Sequence, residues 1–459
     1  MPYLAPRKDA MRRLKCLSAC LTLLCWMPLA LAQPSPLLTP EQLRADLRFV
    51  QESITATHPQ PDFSADPAAV RQAYKYIAEQ MQAPMSPDQA WRLLAMLNPL
   101  YADGHLALTP AGPLAQSQAF LDAGGSFFPY EVSLDASGAL RIRAQLGGAP
   151  SPLQGMRITS INGVPAEQIV ADLLIRCHGD TAAFRASLLS LRWPFLYWKV
   201  LGAPDNYALQ FEKGQQLTVP GSSALPAYLA GNGSFAQQFR FELLPRKAAL
   251  LTINTFAWPD KAQFTAFTAD AFRQVQEAGV RTLLIDVREN GGGNDDMWID
   301  GVLRYIADKP YRWASTYRKK VIKGRESASE KLGDVIDGEI TSWQQPQLDN
   351  PLHFSGATYL LVGGRTYSSS VLLSNVMQDF GFGKVVGAAG QARTRQSGGT
   401  QRFVLPNSGL ELGVPRLLFQ RPSGAASPYL LQPDIVLPDS PYNERELIEA
   451  VLALPAPPA

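Results

Sequence analysis

An apolar run that leads directly into consecutive glycines constrains the fold most strongly. Residues 283–296 read LLIDVRENGGGNDD, so a buried strand ending at Asp286 precedes Gly291, Gly292 and Gly293. Glycine adopts positive φ at no steric cost, so this turn can aim successive N–H groups into one concavity. Such a concavity binds an anion, and the oxyanion of an acyl-transfer intermediate is one. A flexible turn is the competing interpretation. A phosphate loop is disfavoured, because neither G-x-G-x-x-G nor a following Gly-Lys-Ser/Thr occurs.

A second apolar run, 358–363, leads into the serines of RTYSSSVLLSN, residues 365–375. The apolar spacing after the serines indicates a helix. A serine between a strand end and a helix start is a common place for a nucleophile. Serine at a helix start is equally common as a capping residue, so both interpretations of Ser368 stay open at this point.

The first 32 residues have the pattern of a secretory signal. Basic residues precede the apolar run 16–32, which ends in the small-residue sequence Ala-Leu-Ala. We therefore expect a protein exported to the periplasm or secreted, with no stable membrane insertion after signal removal. The composition, 46% hydrophobic and 18% charged over 459 residues, is that of a globular chain with room for two or three domains.

Charge and cysteine content exclude two classes of protein. Removal of residues 1–32 leaves 37 Lys and Arg against 39 Asp and Glu. The remaining chain therefore has no excess of basic residues that would indicate a nucleic-acid-binding protein. Cys177 is then the remaining cysteine, which excludes an internal disulfide, and we expect it to be a buried apolar filler. No metal-ligand spacing occurs, and we expect no metal and no other cofactor.

We divide the chain after the signal into four segments. Residues 33–112 are predicted to be helical, with starts at Thr39-Pro40, Asp66-Pro67 and Ser86-Pro87 and a strand just after His105. Residues 113–245 contain short β-type runs, with a strand, an Asn-Gly turn and a helix over 155–174. The aromatic stripe of Trp193, Phe195, Tyr197 and Trp198 is interpreted as core, with a peptide groove as the alternative. Residues 246–453 are α/β, and 454–459 form a flexible tail.

The order of the motifs resembles the serine peptidase family of the tail-specific (C-terminal-processing) proteases and the tricorn protease core. The segments that carry the resemblance are DVRENGGG (286–293), TYSSS (366–370), VVG (385–387), THP (57–59), DGHL (103–106), INGV (161–164), LPNSG (405–409) and QPDIVLP (432–438). It implies an α+β multidomain fold: an N-terminal helical bundle, a PDZ-like β-rich middle domain and an α/β catalytic core of the tail-specific protease/crotonase-like type.

The same resemblance implies catalytic roles. Aligning the family's Thr-x-Ser pattern assigns the nucleophile to Ser368. The N–H of Ser369 and an N–H of Gly291 or Gly292 would then form the oxyanion hole. Ser370 and Ser374 are expected to be packing residues.

The expected base separates this chain from the Ser/Lys branch of the family. Arg393 stands at the position aligned with the lysine of that branch, and arginine cannot deprotonate to serve as a base. Lys384 precedes the turn and does not replace it. The tricorn-like branch takes a histidine from the helical domain, and His105 fits that place, with an ordinary pKa suited to a general base.

The group that orients His105 is left open. Gly104 stands where the tricorn member has a serine, and Asp434, Glu411 and Asp103 are alternative carboxylates. The other histidines, His58, His178 and His353, are interpreted as structural.

The resulting hypothesis is an exported serine-type peptidase that acts on polypeptides through Ser368 and His105. The PDZ-like segment is expected to bind substrate chain ends by strand addition. Two other functions compete. A non-catalytic peptide- or ligand-binding protein would also show the missing lysine, and an esterase or amidase shares the chemistry but lacks Gly-x-Ser-x-Gly.

Overall fold

The first helices begin at the capping residues that the sequence predicts. The computed structural model describes residues 37–230, 233–388 and 391–455; the predicted signal, 1–32, and most of the tail lie outside these residues. Thr39 and Ser86 each complete a capping box with the glutamine three residues later, and the Asp66 side chain accepts from the Ala68 N–H. The helices are α1 (Pro40–Thr57), α2 (Pro67–Gln80), α3 (Pro87–Leu94), a 3₁₀ turn (Ala95–Leu97) and α4 (Asn98–Tyr101).

The next part of the chain alternates short strands with helices. Its elements are β1 (Ala107–Thr109), α5 (Pro113–Asp122), β2 (Tyr130–Leu134), β3 (Leu140–Gln145), β4 (Ile158–Ile161), β5 (Val164–Pro165), α6 (Ala166–Leu174), α7 (Ala182–Leu201), β6 (Asn206–Phe211) and β7 (Gln216–Pro220). The predicted strand, Asn-Gly turn and helix over 155–174 are confirmed by β4, β5 and α6. Asn162 and Gly163 both have positive φ, as a two-residue hairpin turn requires.

The prediction of short strands throughout 113–245 is wrong for α7, which is a helix of 20 residues. Pro194 inside the helix and the aromatic, β-type composition around it concealed the helical period. The interpretation of the stripe as core is confirmed, because Trp193, Phe195 and Tyr197 are buried. Helix α7 packs along β2, and the Leu134 N–H of β2 donates to Ser190 Oγ of α7.

The remaining elements build an α/β core. They are α8 (Ala227–Ala230), α9 (Phe235–Gln238), β8 (Phe239–Leu244), β9 (Ala248–Ile253), α10 (Lys261–Glu277), β10 (Thr282–Asp286), α11 (Asp295–Trp298), a π-helical turn (Ile299–Leu303), α12 (Arg304–Ile306), β11 (Thr316–Lys320), β12 (Val335–Glu339), β13 (Ala357–Val362), α13 (Ser369–Phe380), β14 (Lys384–Gly387), β15 (Gln396–Gly398), β16 (Gln401–Val404), β17 (Glu411–Val414), β18 (Leu417–Phe419), β19 (Ile435–Val436) and α14 (Glu444–Leu452). The sequence predicts strands at the apolar runs 249–253, 282–286 and 358–363, and β9, β10 and β13 confirm them within one residue at each end.

The central sheet has the order β19-β14-β13-β10-β9-β8, parallel except for the edge strand β8. Its strands send alternate side chains to opposite faces. Ile285 and Leu360 pack on one face with residues of α10 and α13, whereas Leu284 and Leu361 pack on the other face with α14. Because β10 and β13 are parallel neighbours, their carboxyl ends meet at one edge, where ligands of open α/β sheets bind.

Two smaller sheets attach the first helices to this core. Strand β1 pairs with β17 in the sheet β1-β17-β16, and this pairing brings His105, two residues before β1, to the core. The other sheet has the order β12-β11-β18-β15. Among the described helices, none is long and apolar enough to cross a membrane.

Asp46 of α1 also ties the helices to the core, through the segment LPNSG. Its buried carboxylate accepts from the Asn407 N–H (3.1 Å), from Asn407 Nδ2 (2.8 Å) and from the Ser408 N–H (2.8 Å). The side chain therefore satisfies donors of a turn more than 350 positions away in sequence.

We predict that Asp46→Ala lowers the free energy of unfolding by about 2 kcal/mol, because it leaves three half-buried donors without this acceptor. Urea denaturation of both proteins measures the change. Asp46→Asn, which keeps one acceptor oxygen, should lose less. A loss below about 0.5 kcal/mol in the alanine variant, the range of ordinary surface substitutions, would contradict the argument.

Candidate active site

Ser368 lies on the sharp connection between β13 and α13. Its backbone has φ 56° and ψ −124°, a strained conformation for a residue with a Cβ atom. The side chain makes no capping hydrogen bond to the helix, and Ser368 Oγ instead lies 2.9 Å from His105 Nε2. Of the two interpretations of this serine, the structure therefore does not support the helix cap.

The hydrogen bonds around His105 fix its tautomer. Ser397 Oγ lies 2.9 Å from His105 Nδ1 and donates its proton to Asp103 Oδ1 at 2.7 Å. Since a hydroxyl has one proton, Ser397 Oγ must accept from His105 Nδ1–H. Nε2 is then unprotonated and accepts from the hydroxyl of Ser368. The arrangement is a chain from Asp103 through Ser397 and His105 to Ser368, which we call the relay.

Asp103 is buried at the far end of the relay. It also accepts from the His105 N–H at 2.8 Å, and His58 Nε2 lies 3.5 Å from its other oxygen. His58 Nδ1 accepts from the Gln60 N–H, so the proton of this ring is on Nε2 and faces Asp103. Burial opposes ionisation, but the hydrogen bond from His58 and the nearby charges of His105 and Arg393 hold the Asp103 pKa below its usual value.

The environment of His105 favours the neutral ring. Burial lowers the pKa of its imidazole, and the Asp103 and Asp180 carboxylates oppose this shift while the Arg393 guanidinium adds to it. A neutral imidazole with Nε2 free is the form that accepts a proton.

A side chain at position 104, such as the serine that the resemblance implies, would have no room in this structure. A Cβ atom there would lie 2.5 Å from atoms of the Tyr367 ring. The Gly104 N–H donates to Asp180 Oδ1 and to the Tyr367 hydroxyl, at 2.9 Å and 3.1 Å. The hydroxyl beside His105 Nδ1 comes from Ser397 on β15, which sequence analysis did not single out.

Arg393 supports the site from behind. Its guanidinium pairs with Asp180 Oδ1 at 2.9 Å, and both side chains are buried. The same Asp180 oxygen accepts from the hydroxyl of Tyr367 at 2.7 Å, and Tyr367 directly precedes Ser368 in the chain. Phe184, in the first turn of α7, stacks on Tyr367 with 4.4 Å between ring centroids. These contacts fix the backbone that carries both Ser368 and His105.

The other proposed orienting acids make different contacts. Asp434 accepts from the Val385 N–H at 2.7 Å, at the edge of the central sheet. Glu411, on β17, lies 3.9 Å from Arg402. Among the described residues, neither Asp434 nor Glu411 forms a hydrogen bond with His105. Asp103 is linked to His105 through the hydroxyl of Ser397.

His178 and Cys177 show what burial does to groups outside the relay. His178 Nδ1 donates to the Gly104 carbonyl and its Nε2 accepts from Arg192, both at 2.9 Å. Burial and the Arg192 charge lower the pKa of His178 to about 3, so it stays neutral. Burial raises the pKa of the Cys177 thiol to about 12, in agreement with the predicted filler. No cluster of three or more His, Cys, Asp and Glu residues that could hold a metal occurs in the described residues.

Asn290 holds the triple-glycine turn against the serine loop. Its Nδ2 donates to the Ile253 carbonyl, its Oδ1 accepts from the Gly292 N–H at 2.8 Å, and its carbonyl accepts from the Tyr367 N–H. A Cβ atom on Gly292 would lie 2.6 Å from Ser368 Cβ, so only glycine permits this approach. The Gly292 N–H is thus engaged by a side chain. Within residues 37–455 that are described, the N–H groups of Gly291 and Ser369 make no hydrogen bond.

A second polar cluster fixes Ser369. Its hydroxyl donates to Asp295 Oδ1, and Trp298 Nε1 donates to Ser369 Oγ at 2.9 Å. Burial raises the pKa of the Asp295 carboxyl, although the hydrogen bonds from Ser369 and Trp298 oppose the shift. Asp295 is the first residue of α11, and it thereby anchors the serine after Ser368 to the start of this helix.

Comparison with known proteins gives the family. Residues 247–437 match the model of peptidase family S41. No curated protein sequence matches the chain. The structure is similar to that of a CPAF mutant, with 15% identity, 90% of this chain and 96% of that chain covered, and a TM-score of 0.65. It is also similar to mature CPAF complexed with lactacystin, with 14% identity, 90% and 97% covered, and a TM-score of 0.63.

At these identities the structural matches establish the mixed α/β fold. The assignment to a serine peptidase comes from the family model. The matched residues contain the triple-glycine turn, the strained serine and Ser397. Residues 247–437 are a serine peptidase domain of family S41.

Proposed function

We propose that the chain cleaves peptide bonds through an acyl-enzyme on Ser368, with His105 as the general base. The observation that carries the proposal is the 2.9 Å contact between Ser368 Oγ and His105 Nε2, in the tautomer whose Nε2 accepts a proton. A decayed site would have no reason to keep this contact. The geometry therefore favours a catalyst over a non-catalytic binding protein.

The reaction follows from the positions of the protons. His105 Nε2 removes the Ser368 proton as Oγ bonds to the carbonyl carbon of the substrate. The resulting imidazolium returns this proton to the amine nitrogen as the C–N bond breaks, which leaves an ester on Ser368. Water then attacks the ester carbonyl while His105 Nε2 takes a proton from it, and this proton passes to Ser368 Oγ as the C–O ester bond breaks and the carboxylic acid product leaves. Throughout, the ionised Asp103 stabilises the imidazolium through the hydroxyl of Ser397.

We assign the oxyanion hole to the N–H groups of Ser369 and Gly291. Both groups lack a hydrogen-bond partner within the described residues. Ser369 follows Ser368 in the chain, and Gly291 precedes Gly292, whose Cβ position lies 2.6 Å from Ser368 Cβ. Of the two glycines considered, Gly291 is the better donor, because the Gly292 N–H already donates to Asn290. Each such donor contributes about 3 kcal/mol to transition-state stabilisation in comparable enzymes.

The domain layout and export belong to the same proposal. We assign residues 33–112 to a helical domain, 113–245 to a PDZ-like domain and 246–453 to the catalytic core, after an export signal at 1–32. Chain-end binding at the PDZ-like domain would need an open strand edge. Since α7 lies along β2 and takes its Leu134 N–H, that edge is not β2 in this structure.

A fluorophosphonate probe tests the nucleophile and the base. We expect the purified protein to be labelled on Ser368, with labelling abolished in Ser368→Ala and strongly reduced in His105→Ala. Mass spectrometry of the adduct locates the site. Ser374→Ala, which removes a buried hydroxyl outside the relay, is the matched control and should be labelled like the parent. No adduct on the folded parent protein would contradict the proposed function.

We predict that Ser397→Ala lowers kcat for a peptide substrate on the order of 100-fold with little change in KM, because His105 loses the partner that fixes its tautomer. Steady-state kinetics on a cleaved peptide separate the two constants. Ser397→Thr, which restores a hydroxyl, should recover part of the rate. An unchanged kcat in the alanine variant would remove Ser397 from the relay.

The pH dependence follows from the lowered pKa of His105. A general base acts in its neutral form, so activity should persist below the ordinary histidine pKa and fall only on further acidification. We expect the acid midpoint of kcat/KM to lie below about 6.5. Asp103→Asn removes a carboxylate that raises this pKa and should move the midpoint lower still. A parent midpoint at or above about 6.5 would contradict the assigned base.

A further inference from the structure

A cleft of about 610 Å³ lies on the sheet β12-β11-β18-β15, whose last strand carries Ser397. Its lining includes Arg318 of β11, Asp337 and Glu339 of β12, Leu418 of β18, and Arg395. None of these residues has a role in the chemistry proposed above.

Cross-strand register links the cleft to the active site. Ser397 pairs with Leu418, Leu418 with Arg318, and Arg318 with Asp337. Directly paired residues point to the same face of a sheet, so these side chains form one row on one face. Neighbouring strands are about 4.8 Å apart, which puts the cleft within roughly 10 Å of the Ser397 strand. The cleft therefore lies next to the strand that supplies Ser397 to the relay.

Arg395 is a cation in this cleft that no described acidic side chain pairs with. Its guanidinium makes no hydrogen bond and no ion pair in the part of the chain that the structure describes. The other arginines nearby are paired: Arg393 with Asp180, and Arg318 with Asp337 through two bonds of 2.7 and 2.9 Å. Glu339 lines the opposite wall and is exposed.

The side chain is nevertheless held in place. Arg395 is half-buried and its guanidinium stacks over the Phe63 ring, 4.8 Å from the centroid. Stacking occupies the face of the guanidinium and leaves the N–H groups on its edge free. Burial and the nearby Arg318 charge lower the Arg395 pKa, and the Asp337 carboxylate opposes this shift. The orientation is thus fixed while its donors are unused.

We propose that Arg395, two residues before Ser397 in the chain, binds a carboxylate of the peptide substrate in this cleft. A guanidinium edge matches a carboxylate with two parallel hydrogen bonds. The carboxylate comes either from an Asp or Glu side chain or from the carboxyl terminus of the substrate. The inference rests on the proposed function of Ser368 and adds the substrate chemistry that this site selects.

The test begins with a digest of denatured protein as a peptide mixture, in which mass spectrometry identifies the peptides cut by the parent protein. A well-cut peptide is then synthesised in matched pairs, with Glu or Asp against Gln or Asn near the cut, and with a free against an amidated carboxyl terminus. We expect Arg395→Gln to lower kcat/KM about 10- to 100-fold for the peptide with the recognised carboxylate, and less than about twofold for its neutral version. The pair that shows the loss identifies the source of the carboxylate.

The controls separate recognition from damage. Arg240 is an exposed arginine on the edge strand β8, and Arg240→Gln should leave kcat/KM unchanged for both peptides. Arg395→Lys should keep part of the preference, because it keeps the charge but not the paired donors. Since the preference is a ratio measured in one variant, a general loss of folded protein cancels from it. A second measurement needs no turnover. Fluorescence anisotropy gives the affinity of the same peptides, carrying a fluorophore, for Ser368→Ala with and without Arg395→Gln. The ratio of affinities for the charged and neutral peptides should fall in the double variant as the ratio of kcat/KM does.

Two failures are distinguishable. If the parent protein labels with fluorophosphonate but shows no preference for either carboxylate, or if Arg395→Gln keeps that preference, the inference about Arg395 is wrong and the proposed function stands. If the parent protein neither labels nor cleaves, the proposed function fails, and the substrate inference fails with it.

Discussion

The parallel pairing of β10 with β13 is the constraint on which the site depends. Its register matches Asp286 with Leu361, so both strands end together and the two turns that follow them meet. One turn carries Gly291 and Gly292, and the other carries Ser368. Their approach is so close that a methyl group on Gly292 would collide with the serine, which explains the glycine by contact rather than by flexibility. Asn290 secures the approach with hydrogen bonds to β9 and to the serine loop.

The relay is a balance between burial and compensating charge. An isolated buried carboxylate is costly, and Asp103 offsets that cost with hydrogen bonds from Ser397, the His105 backbone and His58. The same burial lowers the pKa of His105 and keeps its ring ready to accept a proton. Arg393, which cannot be a base, contributes by pairing with Asp180 and so fixing Tyr367 and Gly104. A cation at the aligned lysine position thus has a structural use in this chain.

The sequence predicted the local parts of the fold well. Capping residues marked the helix starts, and unbroken apolar runs marked β9, β10 and β13 almost to the residue, because both patterns express interactions within a few positions. Helix α7 was missed because Pro194 and its aromatic neighbours weaken the local helical signal, and packing against β2 overrides it. Ser397 was missed for a different reason: nothing in its neighbourhood, RQSGGT, separates it from any polar turn.

The sequence by itself determined the chemistry on offer: a serine between a strand and a helix, a glycine turn able to present N–H groups, an arginine where a lysine base would be needed, and few histidines. Only the tertiary structure decided the partners, since it brings Ser368 to His105 across 263 positions and Ser397 to Asp103 across 294. It likewise pairs Arg393 with Asp180 and Arg318 with Asp337, whereas Arg395 has no acidic partner among the residues described. The physical reason is that local backbone structure depends on residues a few positions away in the sequence. The hydrogen-bond partner of a side chain depends instead on how the strands and helices pack.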